Sequence, residues 1–166
     1  MSIKKLSLAG ILIAMGVVCS TFYIPIGIAK CFPVQHAINV LASVVLGPFY
    51  AVSMAFVTSF IRIMMGTGSL LAFPGSMCGA FLCSMLYKYT KKLEIAYVGE
   101  LIGTGIIGAI LAYPIATMFM AKEAALFGFI IPFGISSFAG VVIAIVLIMS
   151  MKKTGILKKL VLEDAV

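Results

Sequence analysis

The chain has 166 residues, of which 63% are hydrophobic and only 10% are charged, and its mean hydropathy is +1.25. A soluble domain of this length could not bury so much apolar surface, so the sequence predicts an integral membrane protein. The net charge of +7 does not favour nucleic-acid binding, because the lysines cluster at the ends of apolar segments and not on an aromatic-rich face.

The first apolar segment predicts a membrane span at residues 7–24. Lys4 and Lys5 precede it as in a signal peptide, but the small-residue cleavage site is weak, so an uncleaved span is favoured. Gly10 and Ala14 lie four residues apart and permit close approach of a second helix. That helix belongs either to the same chain or to another membrane subunit, and the spacing favours neither.

A proline-containing loop at residues 25–33 is followed by predicted spans at 34–47 and 49–65, separated by Gly47-Pro48. A single kinked span over this region is the alternative. The lysine clusters decide between them, because they share the cytoplasmic side only if an even number of crossings separates the first from the second. Four crossings satisfy this condition, so we predict a cytoplasmic turn at Gly47-Pro48. The three clusters are Lys4/Lys5, Lys88/Lys91/Lys92 and Lys152/Lys153/Lys158/Lys159.

The remaining spans complete an all-α membrane domain. The run LAFPGS at residues 71–76 contains Pro74 and Gly75, which predict irregular backbone in the outer half of the fourth span. The glycine-rich fifth span predicts tight helix packing. The sequence therefore predicts one domain, residues 1–166, of six transmembrane helices in the cell membrane with both termini cytoplasmic. The last three predicted spans are residues 69–87, 95–120 and 126–149.

Residues 30–39, KCFPVQHAIN, carry a high density of polar groups between two apolar segments. Pro33 favours the start of a helix, where its missing N–H costs nothing. On that helix Gln35, His36 and Asn39 share one face. A polar face inside a membrane is costly and usually serves a ligand, a cavity or a partner. We therefore predict that these three side chains bind a substrate.

Other segments bring polar or aromatic groups to the same predicted depth. These groups are Arg62 in the third span, Phe73 and Ser76 in the LAFPGS run, and Tyr113 in the fifth span. We predict that they complete a pocket that is open to the outside and lined by helices and loops. Glu100 is predicted to make a structural contact closer to the cytoplasmic side.

Motifs for catalysis are not found. The sequence contains no HExxH, no GxSxG and no paired carboxylates within a span, so no enzyme activity, metal or cofactor is predicted. The four cysteines show no CxxC spacing. There is no Walker motif, so the chain does not use ATP itself. A secondary transporter remains an alternative because broken helices are typical of that class, although Glu100 is the only acid predicted within a span.

Five sequence blocks carry a likeness to known proteins: KCFPVQHAINVL (30–41), LGPFYA (46–51), SFIR (59–62), GTGSLLAFPGSMCGA (66–80) and GELIGTGIIGA (99–109). Together with six short spans, they resemble the S-components of energy-coupling factor (ECF) transporters. The likeness is greatest to the thiazole-specific, ThiW-like family and covers nearly the whole chain. The resemblance implies a subunit that captures hydroxyethylthiazole, a thiamine precursor, at the outer face.

The resemblance also implies partners, namely a transmembrane T-component and two ABC ATPases that drive uptake. The docking motif of the family is usually Ala-xxx-Ala in the first span, and the matching pair here is Gly10 and Ala14. Lys30 and Arg62 leave open whether the phosphorylated thiazole is accepted. The alternatives are an S-component for hydroxymethylpyrimidine, thiamine or another vitamin, a proton-coupled carrier acting alone, and a structural membrane subunit without a ligand.

Overall fold

The computed structural model describes residues 3–26, 29–121 and 125–162 and consists of long helices packed side by side. The fifth long helix, here called the composite helix (Leu93–Phe119), is interrupted by two π-helical segments. The helices are α1 (Ile3–Val18, with a 3₁₀ turn at Cys19–Thr21), α2 (Pro33–Val45), α3 (Pro48–Met64), α4 (Ala72–Thr90), α5 (Leu93–Ile102), the π segment Gly103–Gly108, α6 (Ala109–Pro114), the π segment Ile115–Phe119, α7 (Ile130–Lys153) and α8 (Ile156–Leu162).

One end of the bundle is closed by a two-stranded hairpin, and we call it the hairpin end. Strand β1 (Ile24–Ile26) pairs antiparallel with β2 (Ala29–Cys31). The prediction of an all-α protein holds for most of the chain, but a short hairpin stands where a loop was predicted over residues 25–33. Isoleucines favour extended backbone, and Pro25 lacks the N–H that a longer helix would need. For the same reason α1 ends at Val18, before the predicted end of the first span.

Two hydrogen bonds join separate segments at the hairpin end. The Ser20 hydroxyl donates to Thr67 Oγ1 over 2.9 Å and ties the end of α1 to the loop between α3 and α4. The backbone N–H of Phe32 donates to Ser136 Oγ over 2.8 Å and ties the start of α2 to α7. The end of α1, the start of α2, the α3–α4 loop and the start of α7 therefore meet at one end of the molecule.

The opposite end carries the described lysines other than Lys30, and we call it the lysine end. Lys5 Nζ lies 6.0 Å from the ring centroid of Tyr50, so the start of α1 lies beside the start of α3. The predicted turn between α2 and α3 is present, with Gly47 at φ 82° and Pro48 as the first residue of α3. A positive φ is readily adopted only by glycine, and proline at the first helical position costs no hydrogen bond.

The helices differ in whether they are long enough to cross a membrane. Within the described residues, three are long and apolar enough to cross a membrane: Ile3–Thr21, Leu93–Phe119 and Ile130–Lys153. Helix α2 has only 13 residues, and its side chains are buried on nearly every face. It is therefore the central helix of the bundle, and at 1.5 Å per residue it is about 20 Å long. The number of crossings and the orientation of the termini remain predictions.

Helix α4 packs closely against the composite helix through glycines, as the sequence predicts. A Cβ added to Gly103 would lie 2.6 Å from the carbonyl oxygen of Cys78, and one added to Gly108 would lie 2.6 Å from Gly75 Cα. The irregular backbone predicted for the LAFPGS run is not found. Pro74 lies in the first turn of α4, where a proline disturbs no helical hydrogen bond, so the helix is regular from Ala72 onward.

This packing predicts a large difference between two glycine substitutions. Gly103→Ala forces backbone apart, and we expect it to lower the free energy of unfolding by about 1–3 kcal/mol. Gly134→Ala, in α7, is the matched control because a Cβ there meets nothing within 4 Å. It should be neutral or stabilise by about 0.5–1 kcal/mol. Thermal unfolding of the purified protein in detergent measures both, and equal melting temperatures would contradict the packing.

Candidate functional site

A cavity of about 270 Å³ lies at the hairpin end, between the start of α2, the α3–α4 loop, the start of α4 and the start of α7. Aromatic rings and polar side chains both line it, so it offers a ring-binding surface together with hydrogen-bonding groups. The side chains that give it this character are Lys30, Phe32, Gln35, His36, Ser76 and Phe133.

One row of polar residues on α2 is bonded to α4. Gln35 Nε2 donates to Ser76 Oγ over 2.9 Å, and Asn39 Nδ2 lies 3.1 Å from the same oxygen and 3.3 Å from the Ser76 carbonyl. One turn further, the Ser43 hydroxyl donates to the carbonyl of Ala80 over 3.2 Å. The residues are four apart on each helix, so the two rows align. These bonds fix the rotation of α2 against α4.

Asn39 and Gln35 therefore have different roles. Gln35 lines the cavity, whereas Asn39 is 1% exposed and is not among the lining residues. The prediction that Asn39 contacts a ligand has no support in this geometry, since its amide is engaged by Ser76 beneath the cavity. Ser76 lines the cavity and accepts bonds from both amides, so it links the site to the helix packing.

A second polar contact joins α2 to α5. His36 Nδ1–H donates to Glu100 Oε1 over 2.9 Å, and the Glu100 side chain is fully buried. The Thr104 hydroxyl lies 3.0 Å from the same carboxylate oxygen. Because His36 lines the cavity with Nδ1 already engaged, Nε2 is the ring nitrogen left for a ligand. Glycine at position 79 makes room, since a Cβ there would lie 2.7 Å from both carboxylate oxygens.

This pair corrects the interpretation of Glu100 made from the sequence. Its helix begins at the lysine end, yet its carboxylate reaches a residue that lines the cavity. The contact arises because α2 starts deep in the bundle and places His36 near the level of Glu100. The sequence did contain a signal for this contact. It has one histidine and one acid predicted within a span, and polar side chains buried in a membrane usually pair with one another.

Two cationic side chains, Lys30 and Arg62, lie near the cavity, but only Lys30 lines it. Lys30 lines the mouth, and its Nζ lies 4.2 Å from the ring centroid of Tyr23. Arg62 is fully buried, and its Cζ lies 3.9 Å from the ring centroid of Phe32. Phe32 itself lines the cavity, so its ring separates the Arg62 guanidinium from the cavity space. Arg62 thus lies beside the predicted site but behind an aromatic ring.

The aromatic residues predicted for the site are not those that line it. Phe73 packs against Phe56, with ring centroids 5.3 Å apart, and Tyr113 is also absent from the lining. The rotation of α4 and the composite helix turns both rings away from the cavity. Phe32 and Phe133 supply the aromatic surfaces instead. Phe32 stands inside the polar stretch that the sequence singled out, whereas nothing in the sequence distinguished Phe133.

The small residues of α1 face outward. Gly10 and Ala14 are both exposed, and a Cβ added to Gly10 would meet nothing within 4 Å. The alternative in which this pair packs on a helix of the same chain is therefore wrong. Gly16 makes that contact, since a Cβ there would lie 2.9 Å from Thr58 Cγ2.

Cys31 is a packing residue at the edge of the cavity. Its thiol donates to the carbonyl of Pro132 over 3.1 Å, and burial raises the pKa of the thiol. A buried thiol with a raised pKa is a poor nucleophile and a poor metal ligand. In the described residues, no three His, Cys, Asp or Glu side chains cluster in a way that would hold a metal ion.

The α2–α4 contact predicts that Asn39 acts on stability. Asn39→Ala removes the amide donor to the Ser76 carbonyl and one of the two donors to Ser76 Oγ, the other being Gln35 Nε2, and we expect it to lower the free energy of unfolding by about 1–3 kcal/mol. Ser53→Ala, on an exposed face of α3, is the control and should change stability by less than about 0.5 kcal/mol. Thermal unfolding in detergent compares the two. Unchanged stability in Asn39→Ala would show that the hydrogen bonds do not hold α2 in place.

Comparison with known proteins gives one result. Searches of curated proteins and of solved structures find no match to this chain. The family model of the thiamine-precursor transporter protein (ThiW) matches residues 6–154, which is nearly the whole chain. This match agrees with the membrane-length helices and with an internal cavity of the size of a small molecule. The chain therefore belongs to the ThiW family of thiamine-precursor transporters.

Proposed function

We propose that this chain is the S-component of an ECF-type importer and that it captures hydroxyethylthiazole at the outer face of the cell membrane. A transmembrane T-component and two ABC ATPases would then drive uptake. The observation that carries this proposal is the cavity at the hairpin end, which combines the Phe32 and Phe133 rings with the polar groups of Gln35, His36 and Ser76.

The size of the cavity favours a small ligand. Its volume of about 270 Å³ lies just below the range of about 300–1,000 Å³ that is usual for drug-sized ligands. A single substituted thiazole suits this space better than the two joined rings of thiamine. Because each non-hydrogen atom of a small ligand contributes at most about 1.5 kcal/mol, tight binding requires near-complete enclosure.

The chemistry of the lining matches a neutral heterocycle with a hydroxyl group. An aromatic ring stacks on the faces of Phe32 or Phe133. His36 Nε2 bonds to the ring nitrogen or to the hydroxyl, and the Gln35 amide and Ser76 hydroxyl provide further partners. None of these groups requires the ligand to carry a charge.

The distribution of lysines supports an outward-facing cavity. Lysines flank the cytoplasmic ends of membrane spans, and the lysine end of this bundle lies opposite the cavity. Lys88, Lys152 and Lys153 occupy the last turns of α4 and α7, whose first turns lie at the hairpin end. With the lysine end in the cytoplasm, the hairpin end faces the exterior.

The outward face of α1 supports a partner in the membrane. Gly10 and Ala14 leave a shallow groove beside exposed Ile11 and Met15. Helices in lipid associate through such small residues because close approach of the backbones increases van der Waals contact. We propose that this face docks on the T-component.

A proton-coupled carrier acting alone is the second candidate, and one observation favours it. The His36–Glu100 pair combines a buried carboxylate with a histidine on the cavity wall. Intramembrane carboxylates and histidines are used as proton relays in transporters.

Binding and reconstitution distinguish the candidates. The purified chain should bind hydroxyethylthiazole alone, which raises its melting temperature. Liposomes that contain the chain alone should show no uptake with or without a pH gradient, whereas addition of the T-component, the ATPases and ATP should start uptake. Uptake by the chain alone under a pH gradient would favour the carrier, and the absence of any thiazole binding would reject the proposal.

The role of His36 is tested in a background in which its partner Glu100 is replaced by neutral glutamine. His36→Ala alone would leave the buried Glu100 carboxylate without its partner and lower the free energy of unfolding by about 3–5 kcal/mol. A loss of thiazole binding would then not distinguish unfolding from a lost ligand contact. The double variant His36→Ala/Glu100→Gln is therefore compared with Glu100→Gln. We expect the double variant to bind hydroxyethylthiazole about tenfold more weakly, the equivalent of one hydrogen bond of about 1.4 kcal/mol. Equal affinities would remove His36 from the site.

The docking face is tested by separating binding from uptake. Gly10→Leu or Ala14→Leu fills the groove on α1 without touching the cavity, so thiazole binding by the purified chain should stay unchanged. Uptake by the reconstituted complex should fall at least about tenfold, because the backbones can no longer approach closely. Met15→Leu, on the same exposed face, is the control and should transport normally. Normal uptake by Gly10→Leu would exclude docking here.

A further inference from the structure

Arg62 is a buried cation without a hydrogen-bond partner. Its side chain is fully buried, and Nε, Nη1 and Nη2 have no acceptor among the described residues. Its guanidinium lies over the face of Phe32, whose ring centroid is 3.9 Å from Cζ. A cation–π contact offsets only part of the cost of removing a guanidinium from water. This side chain therefore lacks an anionic or strongly accepting partner.

The missing partner has one accessible direction of approach. Phe32 lines the cavity, and its ring also covers the guanidinium. Gly68 also lines the cavity and lies against the Arg62 side chain, since a Cβ on Gly68 would be 3.1 Å from Arg62 Cβ. Rotation of the Phe32 side chain would thus open the guanidinium to the cavity without movement of a helix.

Charge near this wall of the cavity is one-sided. Lys30 lies at the mouth, so two cations flank the position of Phe32. The described part of the chain contains two carboxylates, Glu94 and Glu100. Glu94 is exposed in the first turn of α5 at the lysine end, and Glu100 is bonded to His36. Neither neutralises Arg62, so among the described residues this wall of the cavity carries uncompensated positive charge.

We propose that Arg62, assisted by Lys30, forms an anion subsite that binds the phosphate group of a phosphorylated thiazole alcohol. This inference rests on the proposed function and names a second substrate class for the same cavity. Hydroxyethylthiazole offers its hydroxyl for a phosphate monoester, and the planar guanidinium donates two parallel N–H bonds to phosphate oxygens. Phe32 covers Arg62 when the neutral alcohol is bound and turns aside when the phosphate enters.

The test compares the alcohol and its phosphate monoester by calorimetry on purified wild type, Arg62→Gln and Arg62→Lys. Wild type should bind the ester at least about tenfold more tightly than the alcohol. Arg62→Gln keeps a polar side chain but removes the charge, so it should lose this preference while it still binds the alcohol. Arg62→Lys should retain part of the preference, because an ammonium keeps the positive charge but cannot donate two parallel N–H bonds. Lys88→Gln, at the lysine end, is the control and should behave as wild type.

Folding is monitored in the same samples. Removal of an unpaired buried charge should leave the melting temperature of ligand-free Arg62→Gln equal to wild type or above it, so a loss of ester binding will not reflect unfolding. Wild type that binds the alcohol but not the ester overturns the anion subsite, as does equal ester affinity in wild type and Arg62→Gln. If neither compound binds wild type, the proposed function itself fails.

Discussion

The hydrogen bonds that hold α2 in the centre of the bundle determine where every other part of the site lies. In a low-dielectric interior an unpaired polar group is costly, so each polar residue of α2 must face a specific partner. Gln35 and Asn39 face Ser76 on α4, and His36 faces Glu100 on α5. A rotation of α2 by one residue, about 100°, would break both sets of contacts. The cavity lies beside the start of α2, at the hairpin end.

Close approach of the neighbouring helices makes these contacts possible. A Cβ on Gly79 would collide with the Glu100 carboxylate, and one on Gly140 would lie 2.5 Å from His36 Cβ. Gly79 on α4 therefore leaves room for the Glu100 carboxylate, and Gly140 on α7 leaves room for the His36 side chain. The same helices carry cavity-lining residues at their starts, so the packing that satisfies the buried polar groups also shapes the binding space. The stability of the bundle and the shape of the cavity thus depend on one set of residues.

Helical periodicity predicted a good part of this arrangement, including a polar helix after Pro33, the turn at Gly47-Pro48 and glycine-mediated packing of the fifth span. Periodicity could not show which residues of one broad helix face contact which neighbouring helix. His36 contacts α5 while Asn39 contacts α4, because two neighbouring helices divide that face between them. The His36–Glu100 contact joins residues 64 positions apart, and no local pattern reports such a pairing. Ring orientations, as at Phe73, depend on the rotation of whole helices, which periodicity alone does not fix.

Protection of a cavity thiol from alkylation tests most directly whether the thiamine precursor occupies this cavity. Ser69→Cys places a thiol in the lining, and Lys88→Cys places one at the lysine end, both with Cys19 and Cys78 replaced by serine. Saturating hydroxyethylthiazole should slow alkylation of Ser69→Cys at least about tenfold and leave Lys88→Cys unaffected. An unchanged rate at Ser69→Cys, in protein that demonstrably binds the thiazole, would contradict the account because the ligand would then lie elsewhere.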